Sequence, residues 1–314
     1  MKGLELSRKY FEQYGLDMLQ SKFPEYKDRI AAGLVGRGSE RYGFDDEISR
    51  DHDFCAGFCL WLEDDDCDKI GFELMKEYNK LADSFLGFPT REKQKSGETR
   101  YGVMKISEFF SSLVGENYEN LTDDDYLYMP SNYLADATNG EIFYDISGKF
   151  TKIYEKLKNG MPEDVRIKKI AANAAGMAQS GQYNYKRCIE HKQYGAAVLA
   201  LCDFVKYTAH TVFLFNKKHA PYYKWLLFAM SKLENLGNLS SSLEFLLTFD
   251  NNENTYSLKA DIIEDICRSV AEYMKKENLS DSDSDYLEDH AVSATRRIKD
   301  VNLRNLHLMS GSSV

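Results

Sequence analysis

Apolar residues recur at helical spacing from Leu4 through Phe11, Tyr14, Leu16 and Leu19, which predicts helices from residue 4 to about residue 30. The period then changes. Ala31 to Val35 is a short apolar run ending in Gly36-Arg37-Gly38-Ser39, the pattern of a strand feeding a tight turn. Arg41 to Arg50 is polar and predicts a loop. Asp51 to Leu62 predicts a strand. Phe54, Phe58, Leu60 and Leu62 fall on one face, and Cys55, Gly57, Cys59 and Trp61 on the other. Both faces are apolar beyond Asp53, as in a central strand covered on both sides. Glu63 to Asp66 ends that strand, and the acids open a helix expected to run to about Leu86. Thr99 to Ser107 alternates as a strand, and Glu108 to Leu113 is helical. Asn139-Gly140 marks a turn before a short strand, Glu141 to Asp145.

Beyond Gly148 the β signal fades. Helical periodicity covers Val165 to Gln179, Gly195 to Lys218, Pro221 to Leu233, Leu239 to Phe249, Leu258 to Lys276 and Tyr286 to Lys299. Asp281-Ser282-Asp283-Ser284-Asp285 reads as a solvated acidic loop. The expected fold class is therefore α+β: a mixed sheet flanked by helices over residues 1–150, then an all-α helical bundle over residues 151–314.

Composition narrows the function classes. The net charge of −10 argues against a broad electrostatic surface for nucleic acid, so nucleic acid is disfavoured as a partner. No segment approaches the roughly 20 apolar residues of a membrane span. The six cysteines are scattered, and Met1-Lys2-Gly3-Leu4-Glu5 lacks a signal-peptide core, so free thiols in a cytoplasmic protein are expected. Cys55 and Cys59 lie too far apart along an extended strand to share a zinc ion.

Two short motifs carry the candidate chemistry. Asp51 and Asp53 sit two apart on the predicted strand, so their carboxylates leave the same face and suit one or two Mg²⁺ ions. Gly38 lets backbone approach a phosphate closely, and Ser39 offers an N–H and a hydroxyl. Each is common alone. Their order, a strand, Gly-Ser, a short loop and then Asp-His-Asp, points to a site gripping a nucleoside triphosphate.

The stretch from Gly38-Ser39 through Gly43-Phe44-Asp45-Asp46-Glu47-Ile48-Ser49-Arg50-Asp51-His52-Asp53 resembles the nucleotidyltransferase fold shared by aminoglycoside nucleotidyltransferases and DNA polymerase beta. It is closer still to a bacterial branch of uncharacterised domain proteins bearing a Gly-Ser…Gly-Phe-Asp-Asp-Glu-x-Ser-Arg-Asp-His-Asp signature. Asn216 through Pro221-Tyr222-Tyr223-Lys224-Trp225 is similar to that branch as well. The resemblance implies transfer of a nucleoside monophosphate from a triphosphate, with release of pyrophosphate. Gly38 and Ser39 would hold the triphosphate, and Asp51 and Asp53 the metals. Such enzymes commonly use a third carboxylate on a neighbouring strand. Tyr101 to Ser107 contains no acid, which leaves Glu141 and Asp145 as the nominees.

Arg41 and Arg50 are further candidates for phosphate contacts, since guanidinium suits phosphate, whereas Asp45 and Asp46 are expected to shape the loop. His52 points away from the two aspartates and is expected to pack. In the helical half, Asp203, Lys206 and His210 share one helix face, and Lys224 follows Pro221. Lys206 and Lys224 are candidate nucleotide contacts. The expectation is Mg²⁺-dependent transfer to a hydroxyl of a small-molecule acceptor, with ATP as the leading nucleotide. A protein acceptor, a nucleotide-binding sensor without turnover and an acidic interaction protein stay open, as does an oligomer formed through the long helices.

Overall fold

The computed structural model describes residues 1–51, 54–90, 100–250 and 255–314, with only the backbone of Arg50 and Asp51. Its elements run in chain order as α1 (Gly3–Tyr10), α2 (Leu16–Lys22), β1 (Ala31–Leu34), β2 (Cys59–Leu62), α3 (Asp64–Tyr78), β3 (Ser84–Phe85), β4 (Phe88–Pro89), β5 (Gly102–Lys105), α4 (Ile106–Val114), α5 (Asp123–Tyr128), α6 (Ser131–Ala137), β6 (Glu141–Asp145) and α7 (Lys149–Asn159). Thereafter the described residues are helical: α8 (Glu163–Met177), α9 (Lys186–Glu190), α10 (Tyr194–Phe215), α11 (Tyr223–Met230), α12 (Leu239–Thr248), α13 (Tyr256–Lys276), α14 (Leu287–Thr295) and α15 (Val301–Asn305). The fold is α+β. Two compact units form, one from Met1–Asn120 with Tyr133–Gly160, the other from Leu121–Asn132 with Met161–Val314.

The first unit is built on a mixed sheet of order β5-β2-β1-β6. β1 is antiparallel to both β2 and β6, and β2 is parallel to β5. Helices cover both faces. On one side Leu6, Tyr10, Phe11 and Leu19 pack with Ala32, Leu60 and Leu62 in a continuous core. On the other, Trp61 stacks on Phe150 of α7 at 4.1 Å between centroids and meets Phe109 of α4 edge-on at 5.2 Å. The alternation read from Leu60, Trp61 and Leu62 thus places those side chains on opposite faces.

Two expected elements are shorter in the structure. The strand anticipated from Asp51 begins only at Cys59, and Asp51 closes a 3₁₀ turn, Ile48–Asp51. The cause is the length of β1. Gly33 pairs with Cys59, and two residues beyond Leu34 the chain bends away at Gly36, so residues before Cys59 have no antiparallel partner. Their polar groups are met elsewhere: Ala56 N donates to Pro89 O at 2.8 Å, and Phe58 O accepts from the Tyr78 hydroxyl and Gly102 N. Asp51 therefore lies outside β2, and Asp53 lies outside the described residues. The helix expected to reach Leu86 stops at Tyr78, because the chain then turns through Leu86 and Gly87, both at positive φ, in the β3–β4 hairpin.

In the second unit α8 is the central helix, packed by α10 and α14. It carries buried cations, and the polar Asn173, in a run of small and apolar residues. Arg166 Nη1 donates to Leu214 O at 3.1 Å, near the end of α10. Lys169 donates to Tyr126 O and Leu127 O at 3.2 and 2.8 Å, near the end of α5. Lys168 donates to the carbonyls of Leu306 and His307. Each ammonium or guanidinium meets carbonyls where a helix stops; the Leu214 carbonyl also accepts from Lys217 N. α10 passes the length and composition test for a membrane span, and 56% of the apolar window lies buried inside the protein.

The Trp61–Phe150 stack ties the sheet to α7. Phe150→Ala is expected to destabilise the first unit by about 3–5 kcal/mol, read from urea unfolding followed by tryptophan fluorescence. An unchanged midpoint would show that α7 does not depend on the stack.

Candidate functional site

Four chain segments meet at one end of the sheet. β1 leaves there after Leu34, whereas β2, β5 and β6 all begin there, since Gly33 pairs with Cys59, Cys59 with Gly102 and Leu34 with Glu141. The glycine turn Gly36–Ser39, the segment running into Cys59, the pair Arg100-Tyr101 and the turn Asn139-Gly140 are thereby adjacent.

The glycine turn is clamped from two sides. Asn139 reaches across with its amide, accepting from Gly36 N at 2.9 Å and donating to Gly36 O at 2.7 Å. From the other side Arg41 folds back inside the protein, 2% exposed. Its Nε donates to Val35 O at 3.1 Å, Nη2 donates to Arg100 O at 2.6 Å and Nη1 pairs with Glu40. The guanidinium lies over the Tyr101 ring at 4.8 Å, and the Tyr101 hydroxyl donates to Glu40 Oε1 at 3.2 Å. Burial works against the Arg41 charge, but Tyr101 and Glu40 outweigh it and hold its pKa above the ordinary arginine value. The same burial pushes the neighbouring Cys59 thiol up to about 11, so it stays protonated. Gly38 sits at φ +136°, and a Cβ there would lie 2.5 Å from Glu40 Oε1. Only glycine leaves this turn open. Gly140 is likewise fixed, because a Cβ would collide with the Leu34 carbonyl.

The sequence-derived candidates divide accordingly. Gly38 and Ser39 lie in the clamped turn, with Ser39 O accepting from Phe44 N at 2.9 Å. Glu141 is at the same sheet end, half-exposed and paired with Arg8. Asp145 is not: it pairs with Ala31 at the far end of the strand. There its carboxylate accepts from Gly148 N at 2.9 Å and from Thr151 N and Oγ1 at 2.8 Å, tying down the start of α7. Arg41 is consumed internally. The Arg50 and Asp51 side chains, and all of His52 and Asp53, lie outside the described residues. Asp45 and Asp46 shape the chain: Asp45 Oδ2 accepts from Gly3 N at 3.0 Å at the start of α1, and Asp46 exchanges hydrogen bonds with Ser49. Lys206 and Lys224 belong to the second unit, Lys206 3.5 Å from Asp203 and Lys224 over the Trp225 ring.

Several contributors were missed in the sequence. Glu40, Arg100 and Tyr101 looked like loop and strand-edge residues, and Asn139 only like a turn former. Arg37, between the two glycines, carries a half-exposed guanidinium 4.0 Å from Asp136. Its position inside the Gly-x-Gly turn was the available signal.

Paired aspartate carboxylates are hard oxygen donors of the kind magnesium takes, and the side chains of Asp51 and Asp53 lie outside the described residues. Among the described residues no group of three histidine, cysteine or acidic side chains is close enough to hold an ion.

A model of a domain of unknown function (DUF4037) matches residues 126–226. A solved nucleotidyltransferase-like protein from Exiguobacterium sibiricum 255-15 is similar at 13% identity, over 86% of this chain and 81% of that one, with a TM-score of 0.34. Comparison with curated proteins gives no match.

Two outcomes are expected. Asp145→Ala should destabilise the first unit by about 0.5–2 kcal/mol through loss of a helix-start acceptor, measured by thermal unfolding. No change would remove its structural role. The second concerns Asp136, buried and accepting from the Tyr42 hydroxyl at 2.6 Å. Burial raises its pKa against the pull of Tyr42 and Arg37. A carboxyl raised in the folded state binds its proton there more tightly than in the unfolded chain. It therefore costs stability progressively as pH rises from the unfolded to the folded pKa. Asp136→Asn keeps an oxygen for Tyr42 and should flatten that fall, seen in urea titrations from about pH 4 to pH 7. An identical pH profile would reject the assignment.

Proposed function

We propose that the first unit binds a nucleoside triphosphate and transfers its nucleoside monophosphate to a hydroxyl of a small-molecule acceptor. The observation carrying this reading is the register of the sheet, which brings the clamped Gly36–Ser39 turn, the start of β2 at Cys59 and Glu141 to one end. The acceptor oxygen attacks the α-phosphorus, the bond from that phosphorus to the bridging oxygen breaks, and pyrophosphate leaves. Gly38 and Ser39 hold the phosphates through backbone N–H groups and the Ser39 hydroxyl, and Arg37 supplies positive charge beside them. Glu141, the acid in register with Leu34, takes the acceptor proton. Asp51 and Asp53 would hold Mg²⁺, one ion or two, which when bound neutralises charge on the triphosphate. Most of the catalytic effect is positioning and electrostatics.

A second reading is nucleotide binding without turnover. It is favoured by the absence of an acid from β5 and by the engagement of Glu141 with Arg8.

Labelled ATP with Mg²⁺ and a metabolite library separates the two. Pyrophosphate release abolished by Asp51→Asn/Asp53→Asn, with the melting temperature unchanged, is the expected result. Saturable binding without release selects the second reading, and undiminished release in the double variant overturns the metal assignment. Glu141→Gln should lower kcat by about 10²–10⁴-fold with KM little changed, and equal kcat in the variant rejects Glu141 as the base.

A further inference from the structure

The second unit contains a cavity of about 350 Å³ whose lining includes Ser131, Lys169, Lys206, His210, Tyr222 and Tyr223. We propose that this cavity binds a small phosphate-bearing molecule, independently of the nucleotide chemistry assigned to the first unit. Its size falls in the range of small-molecule pockets. Its lining contains two cationic side chains and no aspartate or glutamate side chain, and the one acidic group it includes is the terminal carboxylate of Val314, so cationic charge is in excess. Lys169 is 5% exposed and gives two protons to the carbonyls of Tyr126 and Leu127, leaving the third of its ammonium protons. Lys206 has only a loose contact with Asp203, 3.5 Å away on its own helix and about half-exposed. A pair of that kind contributes about 0–1 kcal/mol and yields readily to an anion.

Ser131 and His210 suit phosphate better than carboxylate. Ser131 Oγ accepts from Ala220 N at 2.7 Å, so its own hydroxyl proton is available as a donor. Neither His210 ring nitrogen has a hydrogen-bond partner among the described residues. Burial first, then Lys169 and Lys206, lowers its pKa to about 4, so it stands as a neutral imidazole between two cations. A neutral imidazole offers one N–H donor and one acceptor. A carboxylate has two oxygens to share among these groups. A phosphate monoester has three terminal oxygens, and its monoanion also carries a hydroxyl for the imidazole acceptor. Tyr222 and Tyr223, whose rings lie 4.3 Å apart and are substantially exposed, offer an apolar surface for the remainder of an ester.

Calorimetric titration of the full chain with inorganic phosphate, glycerol 3-phosphate and glycerol tests the assignment, together with histidine-labelled NMR in which His210→Gln identifies the His210 signal. Both phosphates are expected to bind and glycerol is not; the tighter phosphate distinguishes an ester from free phosphate. Saturation should move the His210 resonance, and Lys206→Gln should weaken binding about tenfold. Lys206 is about half-exposed and its ammonium has only the loose contact with Asp203, so that variant does not threaten the fold. Absence of binding, glycerol binding as well as the phosphates, an unmoved His210 signal or unaltered affinity in Lys206→Gln would each overturn the proposal.

Discussion

The buried pair of Glu40 and Arg41 is the interaction on which the working end of the sheet depends. A charge taken out of water is tolerated only when it is paired and its remaining hydrogen bonds are met. Arg41 satisfies both conditions at once, with Glu40 as counter-ion, the carbonyls of Val35 and Arg100 as acceptors and Tyr101 beneath the guanidinium plane. The partners belong to the exit of β1 and the start of β5, so a single side chain fastens two strands and the turn between them. Asn139 adds the start of β6 by bonding both main-chain groups of Gly36. The turn is therefore held by side chains from both sides of it, and its shape does not wait on a ligand.

The second unit uses the same logic on helix ends. Arg166 and Lys169 on α8 and Lys259 on α13 send charged groups to carbonyls at or beyond the last turns of α10, α5 and α12. Those carbonyls carry the negative end of the helix dipole, so a cation placed there is favoured electrostatically as well as by hydrogen bonding. Loss of Lys169 would take the donor from two buried carbonyls, those of Tyr126 and Leu127, which makes this residue matter more to the fold than a surface lysine does. Lys169 serves the fold in this way while also facing a cavity.

Short-range chemistry was legible in the chain, and long-range pairing was not. β1, β6 and most of the late helices follow from local apolar periodicity, because each buries a face defined by its own residues. β2 was overextended because alternation from Phe54 to Leu62 satisfies the strand pattern, whereas pairing stops where β1 bends at Gly36. Arg41 read as a phosphate ligand because a guanidinium in a loop is normally solvated. Its burial depends on Tyr101, sixty residues away, which no local pattern reveals. The cations of α8 were invisible for the same reason: their partners are carbonyls, and carbonyls leave no mark in a sequence.

The two candidate acids of β6 differ in how far they are committed. Asp145 accepts from two backbone amides and two hydroxyls around the start of α7, and it faces the sheet end remote from the glycine turn. Releasing it would undo a helix start. Glu141 lies at the same end as that turn and has one cationic partner, Arg8, with both side chains open to solvent. An exposed pair of this type contributes about 0–1 kcal/mol, so Glu141 can part from Arg8 at little cost. Register and exposure together make Glu141 the less committed of the two acids, and they leave Asp145 to hold α7 in place.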